Sequence, residues 1–161
     1  MNNKAKWVCL AWMLSLAPAL AEPLDEHILA QLACQKSPEP AYTLIALDRG
    51  ERIAGDAALL MDSATCWPIA PELDVAGMSF SAVCASAEDP LLLEEFPDYF
   101  WRGPGTSPGT ALTLVTKADL ATAKTWAQAN LGETETHYTV AESYRVEGGV
   151  EIDCSSLSFV E

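Results

Sequence analysis

Positive charge is scarce in this sequence of 161 residues. Nine lysines and arginines face 23 aspartates and glutamates, and the formal net charge is −14. Proteins bind phosphates with cations that replace condensed counterions, so nucleic acid and anionic lipid surfaces are poor partners for such a chain. A basic protein is the macromolecule that this charge would attract, and the same charge also keeps an exported protein soluble.

Histidine and catalytic signatures are scarce as well. The two histidines, His27 and His137, are far apart in the sequence, and each is expected to be an ordinary surface or partly buried histidine and not a general base. No HExxH, GxSxG, P-loop, CxxC or EF-hand pattern occurs. The sequence therefore indicates no metal site and no cofactor, and it favours a protein that is not an enzyme.

Long apolar runs are absent beyond the N-terminus. Residues 1–21 have the layout of a secretory signal: Lys4 and Lys6, then an apolar stretch over 7–16, then small residues up to Ala21. We expect cleavage after Ala21, which leaves 22–161 as one α+β domain in the periplasm or outside the cell. No later run is long enough to span a bilayer, so no membrane insertion is expected after cleavage.

Four cysteines remain after that cleavage: Cys34, Cys66, Cys84 and Cys154. Zinc sites take their ligands in close pairs, and no two of these cysteines are close in the sequence. In an exported chain, four separated cysteines indicate two structural disulfides, with three possible connectivities. Chain proximity and the strand pattern favour Cys34 with Cys66 and Cys84 with Cys154.

The apolar periodicity predicts an N-terminal helical hairpin followed by an antiparallel sheet of about five strands, with one long helix inserted. The predicted helices cover 24 to about 34, 41–48, 90–95 and 120–130, and the predicted strands cover 65–69, 77–84, 111–115 and a C-terminal hairpin. Residues 70–74 are rich in turn formers and read as a connection. Trp67 and Trp126 are expected in the core.

Alternation of apolar and polar residues predicts which side of each strand is buried. In the strand 77–84, it places Met78, Phe80, Ala82 and Cys84 on one face, directed to the core. This assignment puts the thiol of Cys84 where a neighbouring strand's cysteine can reach it.

The C-terminal hairpin has two possible registers. A two-residue turn at 148–149 mixes apolar and acidic residues on one face, whereas a three-residue connection over 147–149 pairs Val146 with Val150. The second register also pairs Tyr144 with Ile152 and sets Arg145 opposite Glu151. It continues the core-facing series to Cys154.

A cluster of aromatics and a Gly/Pro loop, residues 96–110, is the candidate binding element. Three adjacent aromatic residues precede an arginine, and Pro-Gly-Thr occurs at both 104–106 and 108–110. Aromatics and arginine supply large contact areas at protein-binding hot spots. Strand alternation places Tyr99 and Trp101 on one side and Phe100 and Arg102 on the other. The candidate binding residues are Tyr99, Phe100, Trp101, Arg102, Thr106 and Ser107.

Three functions fit these features. The favoured one is a non-catalytic interaction or inhibitor-like module that presents 99–110 to a basic extracytoplasmic protein such as a cell-wall hydrolase. The second is a small glycan-acting hydrolase or carbohydrate-binding protein that uses Glu94, Glu95 or Asp98 beside the aromatics, because glycosidases act with paired carboxylates. The third is a structural envelope protein without a discrete site.

Overall fold

The structure is a computed structural model. It describes residues 23–54, 59–61, 64–102, 109–132 and 137–159. The expected signal peptide, and Thr106 and Ser107 of the candidate loop, lie outside the described residues. In the described part of the chain, no helix is both long and apolar enough to cross a bilayer.

Four helices and six strands lie within the described ranges. The helices are α1 (Leu24–Leu32), α2 (Pro40–Arg49), α3 (Pro90–Glu95) and α4 (Leu120–Leu131). The strands are β1 (Leu59–Met61), β2 (Ala64–Val75), β3 (Met78–Ser86), β4 (Ala111–Thr116), β5 (Tyr138–Glu142) and β6 (Val150–Ser155), and a 3-10 helix (Ser156–Phe159) follows. The predicted α+β class, with an N-terminal helix pair and the long helix α4 inserted between strands, is confirmed.

All six strands form one antiparallel sheet in the order β1-β2-β3-β4-β6-β5. Local sequence signals set the starts of two helices. The side chain of Asp89 accepts a hydrogen bond from the N–H of Leu91 before α3, and that of Asp119 accepts one from the N–H of Thr122 before α4, both at 2.9 Å. Such caps satisfy backbone donors that the helix itself leaves unpaired.

The main core lies between the helices and one face of the sheet. Among its fully buried side chains are Ile28, Leu32, Leu44, Leu47, Phe80, Leu112, Leu114 and Ile152. Trp67 and Trp126 belong to this core, as predicted. The opposite face carries a smaller cluster of Cys66, Ala82, Cys84 and Val115, with Val146 packed against it.

An irregularity in β2 changes which side chains face the helices. Pro68 pairs with Ala82 of β3, but the next pair is Leu73 with Phe80. Between these two pairs the chain advances five positions along β2 and only two along β3. Residues 70–74 are therefore part of a bulged strand, not a connection. Across this bulge, Phe80 faces the helices while Ala82 and Cys84 face the other side. The prediction that all three share a face is wrong.

The face change also decides the disulfides, which are Cys34–Cys154 and Cys66–Cys84. The expected pairing is wrong. Cys154 continues the helix-facing series of Val150 and Ile152, as predicted, and meets Cys34 just after α1. Cys66 and Cys84 are direct partners on adjacent strands, with Cα atoms 4.0 Å apart on the opposite face. Two disulfides are consistent with an oxidising compartment.

The predicted register of the C-terminal hairpin is wrong. β5 ends at Glu142, which pairs with Val150, and the seven residues 143–149 form a longer connection. The hydroxyl of Ser143 accepts hydrogen bonds from the N–H groups of Arg145 and Val146, at 3.1 and 2.9 Å. Such local bonds compete with strand pairing, and they turn the chain away from β6 before the predicted pairs can form.

Candidate binding site

The aromatic segment that follows α3 forms a tight turn and not a strand. The N–H groups of Tyr99 and Phe100 both donate to the carbonyl of Phe96, each at 3.1 Å. The side chains therefore do not alternate as expected. Phe100 is buried in the core at 4% exposure, while Trp101, at 42%, and Arg102 are both exposed.

Tyr99 fixes this turn to the end of α2. Its hydroxyl donates to Oδ2 of Asp48 at 2.7 Å, and its ring packs edge-on against Trp67. Burial raises the pKa of Tyr99 to about 12; the hydrogen bond to Asp48 and the charges of Asp48 and Asp98 add to the rise, whereas Arg49 opposes it. The phenol therefore stays protonated over the physiological range and acts as a fixed donor.

Two clefts lie on either side of Tyr99, on the helix side of the sheet near its β1 edge. The first, here named the Asp48 cleft, has a volume of about 350 Å³ and is lined by Asp48, Ile53, Trp67, Asp98 and Tyr99. The second, the Trp101 cleft, has a volume of about 270 Å³ and is lined by Leu60, Thr65, Pro97, Asp98, Tyr99, Phe100 and Trp101. Asp98 and Tyr99 line both, so the turn is the wall between them.

The wall of the Trp101 cleft holds an unpaired hydroxyl. Thr65 is only 3% exposed, and its Oγ1 has no hydrogen-bond partner in the described structure. A buried polar group left unpaired costs about 1–3 kcal/mol, and the Thr65 hydroxyl has almost no accessible surface through which a ligand could reach it. Exposed apolar side chains of Leu60 and Trp101 border the same cleft. An apolar rim with a few polar groups is typical of binding clefts.

The carboxylates of the glycan hypothesis are not gathered in these clefts. Glu94 and Glu95 are exposed at the end of α3, and only Asp98 lines the clefts, where its partner is Asp48 from α2. Among the described residues that line either cleft there is no histidine, cysteine or lysine. The arrangement offers binding contacts from carboxylates, aromatic rings and the Tyr99 hydroxyl.

Sequence reasoning missed Asp48, Leu60 and Thr65. Each reaches the site only through folding, because α2 and the β1–β2 strands are distant in the chain from residue 99. Asp48 reads in the sequence as a solvated residue at a helix end, and Thr65 reads as an ordinary strand residue. No local signal distinguishes them.

A second group of charged side chains lies on the opposite face of the sheet. Arg145 and Glu151, each 9% exposed, form an ion pair at 3.0 Å, although Arg145 lies in the loop and not in the predicted strand. Burial raises the pKa of the nearby Asp153, while a hydrogen bond from Thr113 and the charge of Arg145 oppose that rise. These groups read as a structural network, although Nε of Arg145 is buried and has no hydrogen-bond partner in the described structure.

Across the described ranges, no three side chains of the His, Cys, Asp and Glu types lie close enough to hold a metal ion. No protein-family model, curated protein or solved structure matches this chain. The site is defined by its own geometry: two small clefts, an apolar rim and carboxylates at the shared wall.

Proposed function

We propose that the protein is a non-catalytic, periplasmic or secreted binding module that docks a basic protein partner over Trp101 and the two clefts. The observation that carries the proposal is the half-exposed Trp101 beside a cleft that the exposed side chain of Leu60 also lines. Tryptophan dominates protein-binding hot spots, because its large rigid surface is buried at little entropic cost.

The size of the clefts favours a polypeptide partner. Pockets for drug-sized ligands and cofactors span roughly 300–1,000 Å³. The clefts, at about 350 and 270 Å³, are at or below the low end of that range. Each therefore suits one side chain of a partner that also covers the surrounding surface.

The charge of the surface favours a basic partner. Glu94, Glu95 and Asp98 are exposed around the aromatic turn, and Asp48 is exposed across the cleft. Arg49 and Arg102 are the cations nearest to them in the sequence, and the whole chain has a net charge of −14. Complementary charge accelerates the encounter with a partner and rejects partners of like charge.

Export rests on two features that agree. Residues 1–21 have the layout of a secretory signal, and the two disulfides suit an oxidising compartment. The glycan-acting alternative has less support, because Glu94 and Glu95 lie outside both clefts.

An unbiased peptide-display selection on the purified chain from residue 22 tests the proposal. We expect enriched peptides to combine lysine or arginine with an apolar residue, and we expect the variant Trp101→Ala to lose them. Leu91→Ala is the matched control, because Leu91 is 69% exposed on α3 and lines neither cleft. Enrichment of acidic peptides, or equal capture by Trp101→Ala, would overturn the proposal.

A further inference from the structure

We propose that the Asp48 cleft is a subsite for one cationic side chain, arginine or lysine, and that the residue beside it lies in the Trp101 cleft. The identity of the ligand as part of a protein rests on the proposed function. The two clefts share the Asp98–Tyr99 wall, so a short segment of extended chain can reach both.

The lining of the Asp48 cleft matches the two parts of a long cationic side chain. Ile53, Trp67 and Tyr99 provide apolar and aromatic walls for the methylene stem, and the carboxylates of Asp48 and Asp98 meet the charged head. Lysine and arginine routinely bury the stem in this way while the head remains with polar groups. Hydrogen bonds between a cation and a carboxylate are also about twice as strong as neutral ones.

The carboxylate of Asp48 is oriented by a hydrogen bond before any ligand binds. Its Oδ2 accepts the hydroxyl of Tyr99 at 2.7 Å, and no described residue hydrogen-bonds to its other carboxylate oxygen. Asp98 likewise makes no side-chain hydrogen bond within the described residues. A pre-oriented carboxylate lowers the cost of ordering the site when the ligand arrives.

The two arginines near the cleft differ in availability. Arg52 is engaged, because it donates to the carbonyls of Pro71 and Glu72 at 3.2 and 3.1 Å. The positive charge of Arg49 acts on Tyr99 and opposes the rise in its pKa. The same charge competes with a cationic ligand in the cleft. The two carboxylates, Asp48 and Asp98, outnumber the single competing cation, so the cleft has a net negative charge. Removal of the Arg49 charge should therefore strengthen the binding of a cationic side chain.

A titration followed by NMR tests the subsite without any protein partner. N-acetyl-arginine amide is added to the labelled chain from residue 22, and N-acetyl-citrulline amide, which has nearly the same shape but no charge, is the control. We expect arginine to shift the backbone signals of Asp48, Trp67, Asp98 and Tyr99, and we expect citrulline to leave them unchanged. Equal shifts with both probes, or none with arginine, would overturn the inference.

Variants separate this subsite from the proposed function. Asp48→Asn with Asp98→Asn should weaken arginine binding by about tenfold or more, while Arg49→Gln should strengthen it about two- to threefold. Asparagine at 48 still accepts from Tyr99, and an unchanged melting temperature shows that the fold is intact. Leu91→Ala, which lies outside both clefts, should leave arginine binding unchanged. Loss of peptide capture in Trp101→Ala with no arginine binding in the wild type would refute the subsite alone; arginine binding with unaffected capture would refute the proposed function alone.

Discussion

Replacement of Thr65 by valine tests the burial of an unpaired hydroxyl beside the Trp101 cleft. Valine has the shape of threonine without the hydroxyl, and it is at least as favourable in a β-strand. Because the hydroxyl of Thr65 is buried and has no partner in the described structure, its removal should stabilise the protein. Binding should be unaffected, because the buried hydroxyl is not accessible to a ligand.

The expected gain in stability follows from the burial of Thr65, which is 3% exposed. A buried unpaired hydroxyl costs about 1–3 kcal/mol, and we take a gain of about 1 kcal/mol for the variant. For a chain of this size, that gain raises the melting temperature by about 3 °C. The affinity for a selected peptide should at the same time stay within about twofold of the wild type.

Thr43→Val is the matched control. Thr43 on α2 is fully buried, its Oγ1 also has no partner in the described structure, and it lines neither cleft. Thermal unfolding and calorimetric titration are measured on both variants. We expect comparable stability gains and unchanged peptide binding in both variants, because neither hydroxyl is accessible to a ligand. If Thr65→Val destabilises the fold, or if it alone weakens peptide binding, the reasoning about the Thr65 hydroxyl is refuted.

Three further predictions concern the fold. Removing the Cys34–Cys154 disulfide, which spans 120 positions, should lower the free energy of unfolding by about 5 kcal/mol. Removing Cys66–Cys84, which spans 18, should lower it by about 3 kcal/mol. Urea unfolding of the two double-alanine variants should show that order. Gly149→Ala places a Cβ 2.5 Å from Cγ1 of Val115 and should destabilise by about 1–3 kcal/mol; an unchanged melting temperature would contradict this packing. The pKa of Asp153 is raised by burial, so the folded state binds this proton more tightly than the unfolded state does. Wild-type stability should therefore fall as pH rises through the folded pKa. Asp153→Asn should thus stabilise by about 1 kcal/mol at neutral pH, with the gain vanishing in acid, and a pH-independent difference would count against the assignment.

Local patterns predicted the fold class because each needed only neighbouring residues. The helix inserted after β4 and the core positions of Trp67 and Trp126 all follow from short-range spacing. The face of each strand was harder to predict. The bulge between Pro68 and Leu73 shifts the register, and the alternation that holds up to Phe80 then fails at Cys84.

The candidate site was only partly predictable, since its parts come from distant positions. The exposed Trp101 was identified from composition alone, but Phe100 turned inward because its N–H joins the turn closed by Phe96. Asp48 and Thr65 reach the site through tertiary packing that no spacing encodes. The sequence therefore indicated residues 96–110 as the candidate binding element, but it did not indicate the two clefts.

The most direct test of the proposed function is a calorimetric titration of a display-selected basic peptide into three proteins: wild type, Trp101→Ala and Leu91→Ala. Removal of a hot-spot tryptophan should weaken binding by about thirtyfold or more, and Leu91→Ala should bind within about twofold of the wild type. The melting temperatures of all three should agree. Equal affinity of Trp101→Ala and the wild type would contradict the assignment of this surface as the binding site.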